Sequence, residues 1–86
     1  MNKTALITGA SSGIGAELAK IHASKGDNLV LVARRKEKLD ELKTELSSDK
    51  IEIHIITMDL ARVNAGKELF DEVSKLNLEI HYLINN

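Results

Sequence analysis

The first residues that could do chemistry form a glycine-rich turn near the amino terminus. Its glycines are Gly9, Gly13 and Gly15, and two small hydroxyl-bearing residues, Ser11 and Ser12, lie between them. Glycine tolerates a positive φ and, having no Cβ, lets a ligand approach the backbone closely. Where such a turn leads into a helix, the free amides and the helix dipole favour an anion. The turn therefore predicts a phosphate-binding site.

Two common phosphate-binding motifs do not fit this glycine spacing. A P-loop that begins at Gly9 needs Gly-Lys and then Ser or Thr at positions 14 to 16, where the sequence reads Ile-Gly-Ala. The usual dinucleotide fingerprint counted from Gly13 and Gly15 needs a further glycine at the position of Leu18. The alternative that Gly13 and Gly15 only permit close packing of a helix on a strand stays open, as does a plain turn role for the serines.

A pair of arginines, Arg34 and Arg35, is the second candidate for anion chemistry. It follows the apolar segment 29–33 and opens a predicted helix. Positive side chains there oppose the helix dipole at a cost of about 0.3 to 1 kcal/mol each. A bound phosphate would offset this cost, because a guanidinium donates two parallel hydrogen bonds to phosphate oxygens. Lys36 and Lys38 alternate with acidic residues and are interpreted as surface residues.

Apolar periodicity predicts four strands that alternate with three helices. In chain order the predicted segments are a strand at 3–8, a helix from Gly13 to a stop at Lys25-Gly26, a strand at 29–33, a helix marked by Leu39, Leu42 and Leu46, a strand with Ile51, Ile53 and Ile55, a helix of roughly a dozen residues marked by Val63, Phe70, Val73 and Leu76, and a strand at 80–84.

The character of these segments predicts how they are arranged. The segment 29–33 is apolar without alternation, which is typical of a central strand covered on both faces. The alternation at 51–55 favours a strand at the edge of the sheet. Strands and helices that alternate in this way predict βαβ units, and therefore an α/β fold with a parallel sheet and helices outside it.

The composition describes one domain over residues 1–86 and excludes several classes of function. The net charge is −1 and the two aromatic residues, Phe70 and Tyr82, are far from Arg34 in sequence, so we expect no nucleic-acid partner. The chain has no cysteine, which excludes disulfides and thiolate metal sites. The longest apolar run, 29–33, is far shorter than the roughly 20 residues of a membrane span, so we expect no membrane partner and a cytoplasmic location.

Four short segments together resemble the short-chain dehydrogenase/reductase family. They are TGASSGIG at 8–15, LVARR at 31–35, MDL at 58–60 and LINN at 83–86. In order they are similar to the family's cofactor turn, the end of its second strand, its adenine-contacting Asp-Leu and the start of its Asn-Asn-Ala-Gly motif. The resemblance covers all 86 residues. It implies a three-layer Rossmann-type α/β sheet, β-α-β-α-β-α-β with strand order 3-2-1-4, truncated after the fourth strand.

The resemblance implies that the glycine turn holds the pyrophosphate of a dinucleotide. Gly9 would make the turn, and Gly15 would let the first helix pack against the sheet. Gly13 and Ile14 would face the pyrophosphate. These implied roles agree with the conformational freedom of glycine and with the anion preference of a helix amino terminus.

The other implied contacts belong to the adenosine half of the cofactor. Ser11 and Ser12 would contact the adenosine ribose or its 2′-phosphate. Asp59 would bind the adenine amino group and Leu60 would line the ring, although Asp59 could instead cap a loop before the third helix. Asn85, in the Asn-Asn segment, is predicted as a further cofactor-binding residue.

The arginine pair distinguishes between the two dinucleotides. NAD sites commonly place Asp or Glu about 20 residues beyond the glycine turn to bind the ribose hydroxyls, whereas an arginine there accommodates the 2′-phosphate of NADP. Here this position reads Ala33-Arg34-Arg35, and no acidic residue follows until Glu37. We therefore predict NADP as the cofactor, bound by Arg34 with Arg35 assisting.

The catalytic residues of the resembling family are not found in this sequence. The family uses a tyrosine four residues before a lysine, with an upstream serine, whereas the single tyrosine, Tyr82, is followed four residues later by Asn86. The histidines His22, His54 and His81 fall on three different predicted elements, so we expect no metal site. We expect an amino-terminal part of an NADP-dependent oxidoreductase for a carbonyl or alcohol substrate, with this chain itself inactive. The alternative is a non-catalytic dinucleotide-binding module or a truncated remnant.

The implied topology leaves the fourth strand at an edge of the sheet. The segment 80–84 would pair on one side only, and a single helix would cover one of the two sheet faces. An unpaired strand edge and an exposed apolar patch commonly bind another chain. We therefore predict a homo-oligomer.

Overall fold

The computed structural model describes residues 2–11 and 13–86, and this part of the chain has the predicted topology. Its elements are β1 (Thr4–Thr8), α1 (Gly13–Ser24), β2 (Asn28–Ala33), α2 (Lys36–Leu46), β3 (Ile53–Thr57), α3 (Ala65–Lys75) and β4 (Tyr82–Asn85). The strands are parallel and lie in the order β3-β2-β1-β4. The predicted α/β class, element order and strand order are therefore confirmed.

The positions of β2 and β3 in the sheet agree with their apolar patterns. β2 pairs with β1 on one side and with β3 on the other, and its residues from Leu29 to Val32 are fully buried. β3 is at the edge, as its alternating pattern predicts. It begins at Ile53 rather than Ile51, because Ile51 instead forms an isolated bridge with Ser48.

The helices cover the two faces of the sheet unequally. A larger core cluster, which includes Ile7, Leu31 and Leu39, lies between the sheet and the helices α1 and α2. A smaller cluster around Val30 and Val32 is covered by α3. Residues of β1 and β2 contribute to both clusters, since successive side chains of a strand point to opposite faces.

The packed stripe of α3 differs from the predicted one. Leu69, Val73 and Leu76 pack against the smaller cluster, whereas Val63 is 86% exposed and Phe70 is 71% exposed. Val63 precedes the first turn of α3. Phe70 is one residue, or about 100° of helix rotation, away from Leu69. The helix thus leaves a large apolar side chain in solvent.

β4 is shorter than the predicted segment 80–84 and includes Asn85. Its residues pair with the stretch of β1 from Ala5 to Thr8. One residue before it, His81 donates its backbone N–H to the Thr4 carbonyl at 2.9 Å and accepts the Thr4 N–H on Nδ1 at 3.0 Å. Because all the strands are parallel, the residues that follow them meet at one edge of the sheet.

A buried pair of polar side chains, His22 and Asp27, lies at the opposite, amino-terminal edge of the sheet. His22 Nδ1 lies 2.7 Å from Asp27 Oδ2, and the two side chains are 9% and 10% exposed. The ring of Tyr82 packs beside the imidazole, with 4.9 Å between the ring centroids. The pair joins the last turn of α1 to the start of β2.

Candidate functional site

A cleft of about 700 Å³ opens where the strands end. It is lined by Gly9, Ser11, Ala33, Arg34, Arg35, Lys38, Met58, Asp59, Leu60, Ala61 and Asn86. These residues come from the end of β2, from the segments that follow all four strands and from the first turn of α2. The volume is in the range of small-molecule and cofactor sites. The structure therefore brings most of the predicted site residues to one place.

Four of the predicted site residues that the structure describes are not on the lining of this cleft. Gly13 and Ile14 begin α1, where Ile14 is 69% exposed. Gly15 is buried beneath the turn, and Asn85 ends β4. Ser12 lies outside the described residues, so its predicted contact stays a prediction.

The turn between β1 and α1 has the geometry for which glycine is needed. Gly9 has a φ of 61° and Gly13 a φ of 58°, both in the left-handed region that disfavours residues with a side chain. The Ala10 N–H donates a hydrogen bond of 3.1 Å to the Val32 carbonyl, which ties the turn to β2. Gly15 lies against the Gly9 carbonyl, with no room for a side chain between them.

The end of β4 holds this turn in position. The buried Thr8 hydroxyl donates to Asn85 Oδ1 at 3.0 Å and accepts the Asn86 backbone N–H at 3.1 Å. The Asn86 side-chain amide donates to the Gly9 carbonyl at 3.2 Å. Asn85 thus uses its side-chain oxygen to bind Thr8, and Asn86, which the sequence analysis did not select, is the asparagine that lines the cleft.

Cations line the part of the cleft next to β2. Among the described residues, Arg34, Arg35 and Lys38 have no carboxylate within 4.0 Å. Arg35 is the N-cap of α2 and makes no side-chain capping bond. In contrast, Lys36 Nζ lies 2.8 Å from Asp40 Oδ2, and the hydrogen bond and charge of Asp40 raise the pKa of this lysine. The cleft therefore presents positive charge that the described residues leave unneutralised.

The loop after β3 supplies the acidic residue of the cleft. Asp59 Oδ1 accepts the Ala61 N–H at 2.9 Å, which is a local turn bond of the kind considered as its alternative role. Leu60 is 36% exposed, and its apolar side chain belongs to the cleft lining. The loop is anchored by a bond of 2.9 Å from the Met58 N–H to the Ala33 carbonyl.

Comparison with known proteins decides the family of this chain. The family model for short chain dehydrogenase matches residues 3–86. The chain belongs to the short-chain dehydrogenase family. The resemblance seen in the glycine turn and the three other segments is thereby confirmed, and so is the Rossmann-type fold that it implied.

The relatives of this chain are considerably longer. The fatty acyl-CoA reductase of Acinetobacter baylyi is 40% identical over 84 residues, which are 98% of this chain and 28% of that protein. L-sorbose reductase from Gluconobacter frateurii, solved with NADPH and L-sorbose, has a TM-score of 0.88 at 31% identity and covers 99% of this chain and 33% of its own. An alcohol dehydrogenase from Thermococcus sibiricus, complexed with 5-hydroxy-NADP, has a TM-score of 0.87 at 28% identity, over 96% of this chain and 36% of its own. The chain spans about a third of the length of these relatives.

None of the helices in the described ranges has the length and apolar character that a membrane crossing needs.

Proposed function

We propose that residues 1–86 form the NADP-binding part of an oxidoreductase that transfers hydride between NADP(H) and a carbonyl or alcohol substrate. The observation that carries this proposal is the cleft in which Arg34 and Arg35 lie with Gly9 and Ser11 of the glycine turn. Both features favour phosphate, because the turn offers backbone amides and the arginines offer guanidinium groups. NAD has no phosphate on the adenosine ribose, so the arginines favour NADP.

The glycine turn fits the phosphates of the cofactor. Gly13 and Ile14 would hold the pyrophosphate on the free amides at the start of α1. Gly9 leaves space beside them because it has no Cβ. Ser11 lines the cleft, and together with Ser12 it would donate to the ribose or its 2′-phosphate.

The loop after β3 fits adenine. Asp59 binds Ala61 through Oδ1, and Oδ2 has no hydrogen-bond partner among the described residues. This oxygen would accept the adenine amino group, and Leu60 would line the ring. Gly15 and Asn85 would act indirectly, because the first lets α1 approach the turn and the second holds Thr8.

Solved relatives support the choice of cofactor. The L-sorbose reductase structure contains NADPH, and the Thermococcus sibiricus alcohol dehydrogenase is a complex with 5-hydroxy-NADP. A metagenomic short-chain oxidoreductase at 32% identity is a complex with NADP. The relatives act on chemically different substrates, so we propose only a carbonyl or alcohol as the substrate class.

The proposed role of these residues is to bind and orient the cofactor. NADP supplies the hydride, and the protein supplies binding and electrostatics. The resembling family protonates the developing alkoxide with a tyrosine four residues before a lysine, and no such pair occurs in this sequence. Tyr82 is also not on the cleft lining. Cofactor binding without turnover is therefore the activity that we propose for this chain.

Calorimetric titration tests the proposal. NADPH should bind at least about tenfold more tightly than NADH, as expected from one charge-assisted phosphate contact. Arg34→Ala should reduce this preference and leave NADH affinity unchanged, and added salt should weaken NADPH binding more than NADH binding. Equal affinities for the two dinucleotides, or a preference that Arg34→Ala leaves unchanged, would contradict the proposed site.

A further inference from the structure

Lys38 lies at the cleft, which its place in the sequence does not indicate. It is the third residue of α2, and its side chain lines the cleft together with Arg34 and Arg35. Residues three or four apart on a helix lie on the same side, which brings Lys38 back to the side of the arginines that precede the helix.

The neighbouring Lys36 provides the contrast. Its ammonium is bound to Asp40 at 2.8 Å, and it is not a lining residue of the cleft. The same acidic residue holds its pKa above the ordinary value. Lys38 has no carboxylate within 4.0 Å among the described residues, so its charge is available to a ligand.

The cations Arg34, Arg35 and Lys38 all lie near the positive end of the α2 dipole, where each of them is unfavourable. A phosphate monoester carries close to two negative charges at neutral pH and has three acceptor oxygens. Two guanidinium groups supply directed hydrogen bonds, and an ammonium on a flexible stem adds charge at a variable position. The set therefore fits a terminal phosphate better than a phosphodiester.

We propose that Lys38 is a specificity-determining residue that contributes a third cation to the site for the 2′-phosphate of NADP. The proposal rests on the proposed function, since it concerns the same cleft. According to this proposal, Lys38 in the first turn of α2 supplies part of the preference for NADP over NAD. The sequence pattern alone attributes that preference to the two arginines.

The test uses two probes that lack the nicotinamide half, adenosine 2′,5′-bisphosphate and adenosine 5′-monophosphate, titrated into the 86-residue chain by calorimetry or NMR. Lys38→Gln should weaken binding of the bisphosphate about fivefold and leave the monophosphate within about twofold, as expected for one solvent-exposed charge contact. Lys38→Arg should restore the bisphosphate affinity. Lys36→Gln is the matched control and should change neither affinity.

The outcomes separate this inference from the proposed function. If the unmodified chain binds the two probes equally, the NADP proposal itself fails. If it prefers the bisphosphate and Lys38→Gln keeps the whole preference, only the role of Lys38 is overturned. If Lys38→Gln weakens the binding of both probes equally and leaves the thermal transition unchanged, the role of Lys38 is also overturned. The lysine would then not distinguish a ligand that carries the 2′-phosphate from one that lacks it.

Discussion

A Cβ placed on Gly15 would lie 2.2 Å from the carbonyl oxygen of Gly9. Real Cβ atoms do not approach an oxygen so closely, and the obstacle is backbone rather than a flexible side chain. The same Cβ would lie 2.9 Å from the Asn86 side-chain amide. The first turn of α1 is thus seated directly on the turn that follows β1, and its position sets the shape of the cleft.

Gly15→Ala should destabilise the protein by about 1 to 3 kcal/mol, because the added methyl group forces the helix away from the turn. The urea midpoint measures this change. Gly66→Ala is the matched control, since Gly66 is in the first turn of α3 with open space around its Cβ position. That substitution should be neutral or stabilising by up to about 1 kcal/mol. Equal urea midpoints for the two variants would show that the close approach of Gly15 to the Gly9 carbonyl does not affect the free energy of unfolding.

Breaking the pair of His22 and Asp27 should destabilise the protein by about 1 to 3 kcal/mol, because a buried polar group then loses its partner. Asp27→Ala, His22→Ala and the double variant form a cycle that isolates the interaction, and urea unfolding of each should give a coupling of at least about 0.5 kcal/mol. The exposed pair of Lys20 and Glu45, at 3.6 Å, serves as the comparison. Glu45→Gln should cost about 0 to 0.5 kcal/mol. A cycle without coupling would mean that the two side chains contribute independently.

The 86-residue chain should show no NADPH oxidation with a panel of aldehydes and ketones. Its single tyrosine, Tyr82, packs against His22 at the amino-terminal edge of the sheet, whereas the cleft is at the carboxyl-terminal edge. Loss of NADPH absorbance measures turnover. A rate that is abolished by Tyr82→Phe would prove this prediction wrong.

The isolated chain should self-associate through β4 and the sheet face beside it. Within the described residues β4 pairs with β1 only, and Leu83 is 68% exposed on it. Backbone groups on an open strand edge and an apolar side chain next to them favour pairing with a second copy. Sedimentation should detect dimers or larger species, and Leu83→Lys should shift them toward monomer. A wild-type chain that stays monomeric at high concentration would contradict the prediction.

Some of this architecture could be read from local pattern alone. The unbroken apolar run of β2 predicted a central strand because both of its faces are covered, and the alternation at 51–55 predicted an edge strand. Phe70 shows where prediction from local pattern fails. A shift of one residue along a helix rotates a side chain by about 100°, which is enough to move it from the core into solvent. Local pattern also placed Arg34 and the glycine turn, since both directly follow strands.

The parts of the cleft that sequence reasoning missed depend on tertiary position. Lys38 stands in an alternating charge pattern that is typical of a solvated helix face, and only the placement of α2 over the end of β2 brings it to the cleft. Asn86 is 77 residues from the carbonyl that it binds on Gly9, so no local signal distinguishes it from Asn85.

The bond between Asn86 and Gly9 has a consequence for synthesis on the ribosome. The turn at Gly9 is made well before residue 86, yet its contacts with Asn86 form only when β4 pairs with β1. Contacts of such long sequence separation form late, because the intervening loop must close first. A nascent chain that has exposed β1, α1 and β2 would therefore carry the complete glycine sequence without a finished turn. Dinucleotide capture would then begin only after residue 86 has left the exit tunnel.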